Sequence, residues 1–215
     1  MKQATSKEKI LKKVRTALIQ KTEMPFPNIE TNKSVYPQPS DPLDILFAEE
    51  FNRVEGKFLF CESQNALIEN LKTLSEQNQW EHLFCWDETL QGFFAKHDFR
   101  KCRIGKNLEK AQVGITRCES LIARTGSILL STGLASGRSL SIFPPVHIVI
   151  AYTSDLVYDL KDGIKKLSEK YGEDLPSMIN MATGPSRTAD IEKTLVLGAH
   201  GPKEVYVFLI DQEIK

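Results

Sequence analysis

The sequence predicts an α/β fold in which a mixed, largely parallel sheet lies between layers of helices. Beyond residue 43, short apolar runs alternate with amphipathic helical segments, the βαβα order that is typical of parallel sheets. The runs are apolar almost throughout, as expected of strands that are buried on both faces. Several further apolar runs follow between residues 112 and 143 with little helix between them, which indicates a strand-rich middle.

The first element that the pattern predicts is an amphipathic helix over residues 6–20, which Ser6 can cap. Residues 1–21 hold seven Lys or Arg and one Glu, so the helix is basic. It can be a solvated helix that docks through its apolar stripe, or it can bind a partner, an anionic surface or a second copy of the chain. Five of the ten prolines follow in residues 24–42, which predicts an extended linker. We therefore divide the chain into an arm with its linker (1–42) and an α/β domain (43–215).

In the first half of the domain, the predicted elements alternate strictly. Asp41 and Pro42 resemble an N-cap and the first residue of a helix that continues to about Arg53. Ser63 and Asp87 are the predicted caps of two later helices. The predicted strands and helices are, in order, strand 57–61, helix 63–78, strand 82–86 and helix 87–96.

In the second half, strands predominate. The apolar runs predict strands at 112–116, 121–123, 127–131, 139–143, 146–152 and 204–210. A single amphipathic segment, residues 154–170, predicts a capped helix among them. The sheet is therefore expected to be mixed rather than wholly parallel.

The composition excludes several classes of protein. With 28 Lys and Arg against 28 Asp and Glu, the formal net charge is zero, whereas nucleic-acid binders usually carry a basic excess. No window approaches 18 uninterrupted apolar residues, so we expect no membrane span. The N-terminal segment lacks the apolar core of a signal peptide, and we expect a cytoplasmic protein.

The four cysteines, Cys61, Cys85, Cys102 and Cys118, lie 24, 17 and 16 residues apart. A zinc or iron–sulfur site usually contains a CxxC-type pair, because neighbouring ligands must converge on one metal. The chain also contains no dinucleotide fingerprint and no P-loop. We therefore expect reduced structural thiols, no metal and no cofactor bound by this chain.

Polar residues and glycines cluster in three short segments of the second half. Glu119 precedes a predicted buried strand and can be a carboxylate at the mouth of a site. Arg124-Thr125-Gly126 follows that strand and can be a simple turn. A small-residue loop ends in Arg138, which can present backbone N–H groups and a guanidinium to an anion or can be a hairpin connection. His147 stands at the start of a strand, either as an acid/base or as a structural histidine.

A fourth segment, residues 182–192, carries the strongest signal. It gathers Gly184, Ser186, Arg187, Thr188 and Asp190, a set that offers backbone amides, hydroxyls and one guanidinium to a carboxylate or phosphate. His200 follows in Gly-Ala-His-Gly-Pro at 198–202, between flexible residues that can place it at the mouth of the same site. The alternative is a capped short helix, with Thr188 or Asp190 bonding its first N–H groups. We predict that residues 183–190 and His200 share one cleft, with Glu119, Asp190 and His200 as the catalytic candidates.

At these residues, the chain resembles the LUD-domain family of lactate-utilization proteins. The resemblance covers roughly residues 100–211 and rests on Gly-Ile-Thr at 114–116, Ala-Arg-Thr-Gly-Ser at 123–127, Pro-Pro-Val-His-Ile at 144–148, Gly-Pro-Ser-Arg-Thr-Ala-Asp-Ile-Glu at 184–192 and Leu-Gly-Ala-His-Gly-Pro at 197–202. The last two strings together form a long and specific signature. The first 100 residues match the family only in general plan.

The resemblance implies a three-layer α/β fold similar to the ribose-5-phosphate isomerase, glucosamine-6-phosphate deaminase and CoA-transferase group. It also implies a pathway, the oxidation of L-lactate to pyruvate, in which family members work beside two other proteins, at least one of which carries iron–sulfur clusters. One departure is at Arg124, where many relatives have Glu. If that Glu is catalytic in relatives, the role has moved to Glu119 or is lost here, or Arg124 strengthens the binding of an anion.

Three functions therefore stay open at the level of sequence. The first is an accessory subunit of an iron–sulfur system that oxidises L-lactate, which needs an electron acceptor from a partner. The second is a free-standing enzyme on a small phosphorylated or CoA-linked acid, in which Glu119 or Asp190 is the acid/base and Arg138 and Arg187 hold the anion. The third is a ligand sensor without catalysis. The sequence leaves open whether this chain is itself an enzyme.

Overall fold

A computed structural model describes residues 5–19, 36–37, 39, 41–105, 107–189, 195–198, 200–211 and 214. The chain divides into two compact units, residues 1–38 and 39–215. In the first unit, helix α1 (Ser6–Ile19) is the predicted amphipathic helix. Thr5 rather than Ser6 caps it, because the Glu8 carboxylate accepts from the Thr5 amide at 2.7 Å while the Glu8 amide donates to the Thr5 hydroxyl. Most of the proline-rich stretch lies outside the described residues.

In its described residues, the second unit contains four further α-helices and twelve strands. The helices are α2 (Leu43–Arg53), α3 (Gln64–Gln77), α4 (Glu88–Lys96) and α5 (Leu160–Tyr171). The strands are β1 (Lys57–Cys61), β2 (Leu83–Cys85), β3 (Cys102–Arg103), β4 (Val113–Thr116), β5 (Ser120–Ile122), β6 (Ser127–Ser131), β7 (Val146–Tyr152), β8 (Leu156–Val157), β9 (Ile179–Ala182), β10 (Arg187–Ala189), β11 (Leu195–Leu197) and β12 (Glu204–Ile210). No helix in the described part of the chain is long and apolar enough to span a bilayer.

Six of the strands form a central sheet in the order β1-β12-β7-β4-β2-β3, and every pair in it is parallel. Its middle strands are buried along nearly their whole length, as their continuous apolar sequences require. Helices α3 and α4 cover one face through Leu67, Leu71, Leu90 and Phe94. Ser63 and Asp87 cap these helices as predicted, accepting from the amides of Ala66 and Leu90.

A second sheet, in the order β8-β5-β6-β9, covers the other face of the central sheet together with α2. Phe47 and Phe51 of α2 join this interface. Helix α5 packs on the outer side of the second sheet, where Gly163 faces the side chains of Ile122 and Leu129. The α/β class is thus confirmed. The expected mixture of strand directions arises because the strand-rich middle folds into a separate, mainly antiparallel sheet.

Three predicted elements differ in the structure. Residues 139–143 form turns rather than a strand, with Leu140 buried and Phe143 exposed. The helix predicted over 154–170 begins only at Leu160, because Asp159 caps it and residues 156–157 pair as β8 beside β5. Helix α2 begins at Leu43 with Pro42, not Asp41, as its N-cap.

Candidate functional site

Part of the predicted set of site residues lines two cavities, whose linings share no residue. The larger, which we call the cleft, has a volume of about 340 Å³. It lies beside the amino-terminal ends of β7 and β12. Its polar lining comprises Ser141, His147, Asn180, Thr183, Ser186, Arg187 and His200. The structure thus brings residues 183–187 and His200 to the same cavity.

Backbone contacts shape the wall of the cleft. After β9 ends, the chain turns at Gly184, whose φ of 73° is a left-handed conformation that suits glycine. A Cβ at Gly184 would lie 2.1 Å from the carbonyl oxygen of Val54, just after α2, so the turn also needs glycine for space. The Ser186 amide then donates to the Pro202 carbonyl at 2.9 Å, which ties the two signature segments together.

Arg187 lies at the edge of this wall. Its guanidinium donates to the Val54 carbonyl at 3.0 Å and pairs with Glu55 at 3.3 Å. The Arg187 side chain remains 40% exposed, and the pair lies at the surface rather than in the interior. Part of the guanidinium's hydrogen-bonding capacity therefore positions the loop against the end of α2, and the remainder faces solvent and the cleft.

A chain of hydroxyl groups supports the same wall from behind. The Thr125 and Ser127 hydroxyls are 2.8 Å apart, and the Ser127 and Thr183 hydroxyls are also 2.8 Å apart. Ser127 is buried, whereas Thr183 lines the cleft. Thr125 therefore contributes to the site indirectly, through Ser127, rather than as a lining residue.

His147 stands on the floor of the cleft and is only 1% exposed. Its Nε2 lies 2.8 Å from the Thr116 hydroxyl at the end of β4. Burial lowers the pKa of the His147 imidazole to about 4, because the charged form would lose its hydration. The ring is consequently neutral near pH 7, and it can offer a ligand a hydrogen bond but no positive charge.

Because the buried His147 resists protonation, the protein should become less stable to unfolding in mild acid. Its folded pKa is about 4 against an ordinary 6.5, so between these values the unfolded chain binds a proton that the native state does not. At about 1.4 kcal/mol per pH unit, the free energy of unfolding should fall by about 3 kcal/mol from pH 6.5 to pH 4. Urea denaturation at several pH values between 6.5 and 4 will measure this change in the free energy of unfolding.

The control for this pH dependence is a pair of variants. His147→Gln should remove most of the slope, whereas His200→Gln, which changes an exposed ring, should keep it. An unchanged slope in His147→Gln would contradict the assignment.

Four predicted binding residues, Arg124, Thr125, Gly126 and Arg138, lie outside the linings of both cavities. Arg124 pairs with Asp159, the N-cap of α5, at 2.9 Å. Gly126 packs its backbone against α2, and Arg138 donates to the Ser177 hydroxyl at 2.8 Å. Arg124 and Arg138 thus hold parts of the second sheet and its loops together. Thr188 belongs to β10, and Asp190 lies outside the described residues.

Glu119 lines the smaller cavity, which we call the charged cavity and which has a volume of about 170 Å³. Its carboxylate accepts from Lys170 Nζ at 2.7 Å, from the Tyr171 hydroxyl at 2.7 Å and from the Ser131 hydroxyl. Burial raises the pKa of Glu119, but the hydrogen bonds from Lys170, Ser131 and Tyr171 outweigh this effect and hold the pKa below its usual range. Glu119 is therefore an ionised, fully bonded group that the structure keeps apart from His200.

The sequence reasoning missed most of the charged cavity. Its other ionisable lining residues are Asp87, Arg117, Asp155, Lys166 and Lys170. Three of them follow β2, β4 and β7 within three residues of each strand's end, at the edge where ligands bind in parallel sheets. A search for charged residues directly after each predicted parallel strand would have found them.

The cysteines do not contribute ionised groups to either cavity. All four are free, and burial raises the pKa of each thiol, that of Cys85 to about 12. In the described part of the chain, no three His, Cys, Asp or Glu side chains are grouped as a metal would require.

Comparison with known proteins gives consistent matches. A sequence profile of the LUD domain matches residues 46–210. Proteins named lactate utilization protein C are similar over about half of this chain. That of Halalkalibacterium halodurans is 39% identical over 113 residues (51% of this chain, 49% of that protein), and that of Bacillus subtilis is 38% identical over 110 residues (50% and 46%). The chain thus spans about half the length of these curated relatives.

The fold also has a counterpart among solved structures. A crystal structure of a DUF162 family protein from Deinococcus radiodurans superimposes with a TM-score of 0.59 over 80% of this chain and 99% of that one. The two sequences are 16% identical, so the similarity concerns the fold.

Proposed function

Because the chain belongs to the LUD domain family, we propose that it takes part in lactate utilization, as an accessory subunit of an iron–sulfur system that oxidises L-lactate to pyruvate. Within that system, this chain would hold the small organic anion in the cleft. The observation that supports this role most directly is that residues 183–187, His147 and His200 line one cavity. Except for Thr183, these residues lie in the segments by which the chain resembles the family.

The lining of the cleft suits a small hydroxylated or oxo acid. Arg187 supplies positive charge at the rim, and the hydroxyls of Ser141, Thr183 and Ser186 supply short hydrogen-bonding groups. The neutral His147 can bond to a ligand oxygen without adding charge. A cavity of about 340 Å³ accommodates a three-carbon acid with room for water or for part of a partner.

The electrons must leave through another component. Oxidation of L-lactate to pyruvate releases two electrons and two protons, and amino-acid side chains do not accept electron pairs of this kind. We therefore propose that an iron–sulfur partner accepts these two electrons.

Ligand binding tests the role of the cleft. Titration of ¹⁵N-labelled protein with L-lactate and with pyruvate should shift the amide signals of Gly184 and Gly201. In Arg187→Gln the dissociation constant should rise about tenfold or more, since a hydrogen bond to a charged group contributes roughly 1.5–3 kcal/mol. The matched control is Arg100→Gln, an exposed arginine paired with Asp98, which should bind as the wild type does.

These titrations also discriminate among functions. If acetyl-CoA or a sugar phosphate shifts the cleft amides and neither L-lactate nor pyruvate does, a free-standing enzyme on such substrates replaces our proposal. Co-expression with an iron–sulfur subunit should further yield a complex that reduces a dye when L-lactate is added. Absence of both the complex and the activity would contradict the accessory role.

A further inference from the structure

The charged cavity lies at the edge of the central sheet where small ligands characteristically bind. Asp87, Arg117 and Asp155 follow the carboxyl ends of three adjacent strands, β2, β4 and β7. Helix α5 completes the cavity with Lys166 and Lys170. In open α/β sheets, this crevice is the usual location of a ligand.

Most charges in this cavity already have partners. Lys170 pairs with the buried Glu119. Lys166 donates to the Ser154 carbonyl at 2.8 Å and lies 3.6 Å from Asp155. The Asp87 carboxylate accepts from the Leu90 amide and caps α4. These contacts serve the fold and need no ligand.

Arg117 is different. Its guanidinium lies over the Tyr152 ring, 5.1 Å from the centroid, and no hydrogen bond or ion pair joins it to another described residue. The ring holds the guanidinium in place through a cation–π contact while leaving its planar fork of N–H donors unused. Such a fork matches a carboxylate, which can accept two parallel hydrogen bonds from it.

Asp155 offers the complementary acceptor. One of its oxygens accepts from the Tyr152 amide at 2.9 Å, and the other is only loosely paired with Lys166 at 3.6 Å. Burial raises the pKa of Asp155, and the Tyr152 amide together with the charges of Lys166 and Arg117 only partly counters this effect. The Asp155 oxygen near Lys166 lies in a partly desolvated cavity, where it can accept a hydrogen bond from a ligand hydroxyl.

The size of the cavity restricts the ligand further. A volume of about 170 Å³ is well below the roughly 300–1,000 Å³ of pockets that hold drug-sized molecules or nucleotides. The volume therefore suits a ligand of only a few carbon atoms.

We propose that the charged cavity is a second binding site, which takes a small 2-hydroxy carboxylate with the carboxylate on Arg117 and the hydroxyl donating to Asp155. The inference goes beyond the role of the cleft, because the two linings share no residue.

The test is an NMR titration of the full chain with L-lactate and with propionate, which lacks the hydroxyl. L-lactate should shift the amides of Cys118 and Leu134 in the charged cavity and bind there about tenfold more tightly than propionate. In Arg117→Gln these shifts should weaken at least tenfold, whereas Arg100→Gln should retain them.

Two results would overturn the inference: cavity amides that do not respond to L-lactate in the wild type, or an undiminished response in Arg117→Gln. If Arg117→Gln does not fold, the comparison of L-lactate with propionate on the wild type decides. Because the amides of Gly184 and Gly201 report on the cleft, failure of this site and failure of the proposed function are observed separately.

Discussion

Replacing Glu119 by alanine is expected to lower the free energy of unfolding by about 3 kcal/mol. The carboxylate is 2% exposed and accepts hydrogen bonds from Lys170, Tyr171 and Ser131. Removing one partner of a buried pair commonly costs roughly 3–5 kcal/mol. We place this loss at the lower end because the Lys170 side chain is 51% exposed and can recover water. Urea denaturation at pH 7 measures the change.

The chain provides a control in which a glutamate has lysine and tyrosine partners of the same kind, without the serine, in a more exposed environment. Glu204 also accepts from a lysine, Lys57 at 2.6 Å, and from a tyrosine, Tyr206 at 2.7 Å, but its side chain is 40% exposed. Because exposed pairs contribute little, Glu204→Ala should cost less than about 1 kcal/mol. Equal losses in the two variants would show that burial of Glu119 does not matter.

The Glu119 contribution should also depend on pH. Its folded pKa lies below the ordinary value of 4.5, so the stabilisation is present above that value and disappears as the pH falls through the folded pKa. The difference between the wild type and Glu119→Ala should therefore shrink below about pH 4.5. Most of this window lies below the one in which His147 acts (pH 6.5 to 4), so measurements above pH 4.5 report on His147 alone of the two.

The substitution Gly126→Ala is expected to destabilise the fold by more than about 3 kcal/mol. Gly126 has a φ of 57°, which alone costs an alanine roughly 1–2 kcal/mol. A Cβ at this position would also lie 2.4 Å from the backbone nitrogen of Phe51 in α2, where no side chain can move aside. Helix α2 would have to shift, and the wall of the cleft would shift with it, because Val54 contacts both Gly184 and Arg187.

Gly137→Ala separates the cost of the backbone conformation from the cost of the close contact with α2. Gly137 has nearly the same φ, 58°, but nothing lies within 4 Å of its added Cβ. This variant should lose only about 1–2 kcal/mol, and the amide spectrum of its cleft should match that of the wild type. If Gly126→Ala were no worse than Gly137→Ala, the close approach of α2 would not be a constraint on the fold.

Much of the candidate site could be predicted from local sequence. The signature at 184–192 and the segment around His200 stand out as polar and glycine-rich loops, and residues 184–187 and 200–202 of them meet in the cleft. Arg138 is assigned to a binding site from its place at the end of a small-residue loop, and Arg124 from the position at which many relatives of the family that the chain resembles have Glu. Their actual partners, Ser177 and Asp159, are 39 and 35 residues away along the chain, and no local pattern indicates them.

Local sequence predicted the helices, the longer strands and the caps at Ser63 and Asp87, because hydrophobic periodicity and capping act within one or two turns of chain. Val146–Tyr152 and Glu204–Ile210 could be predicted residue by residue, since strands buried on both faces must be apolar throughout. Only the tertiary structure decided that the middle strands form a second sheet and that Glu119 and His147 serve different cavities. Both outcomes depend on which strands become neighbours, and pairing between distant segments depends on packing across the whole core rather than on the pattern within any one of them.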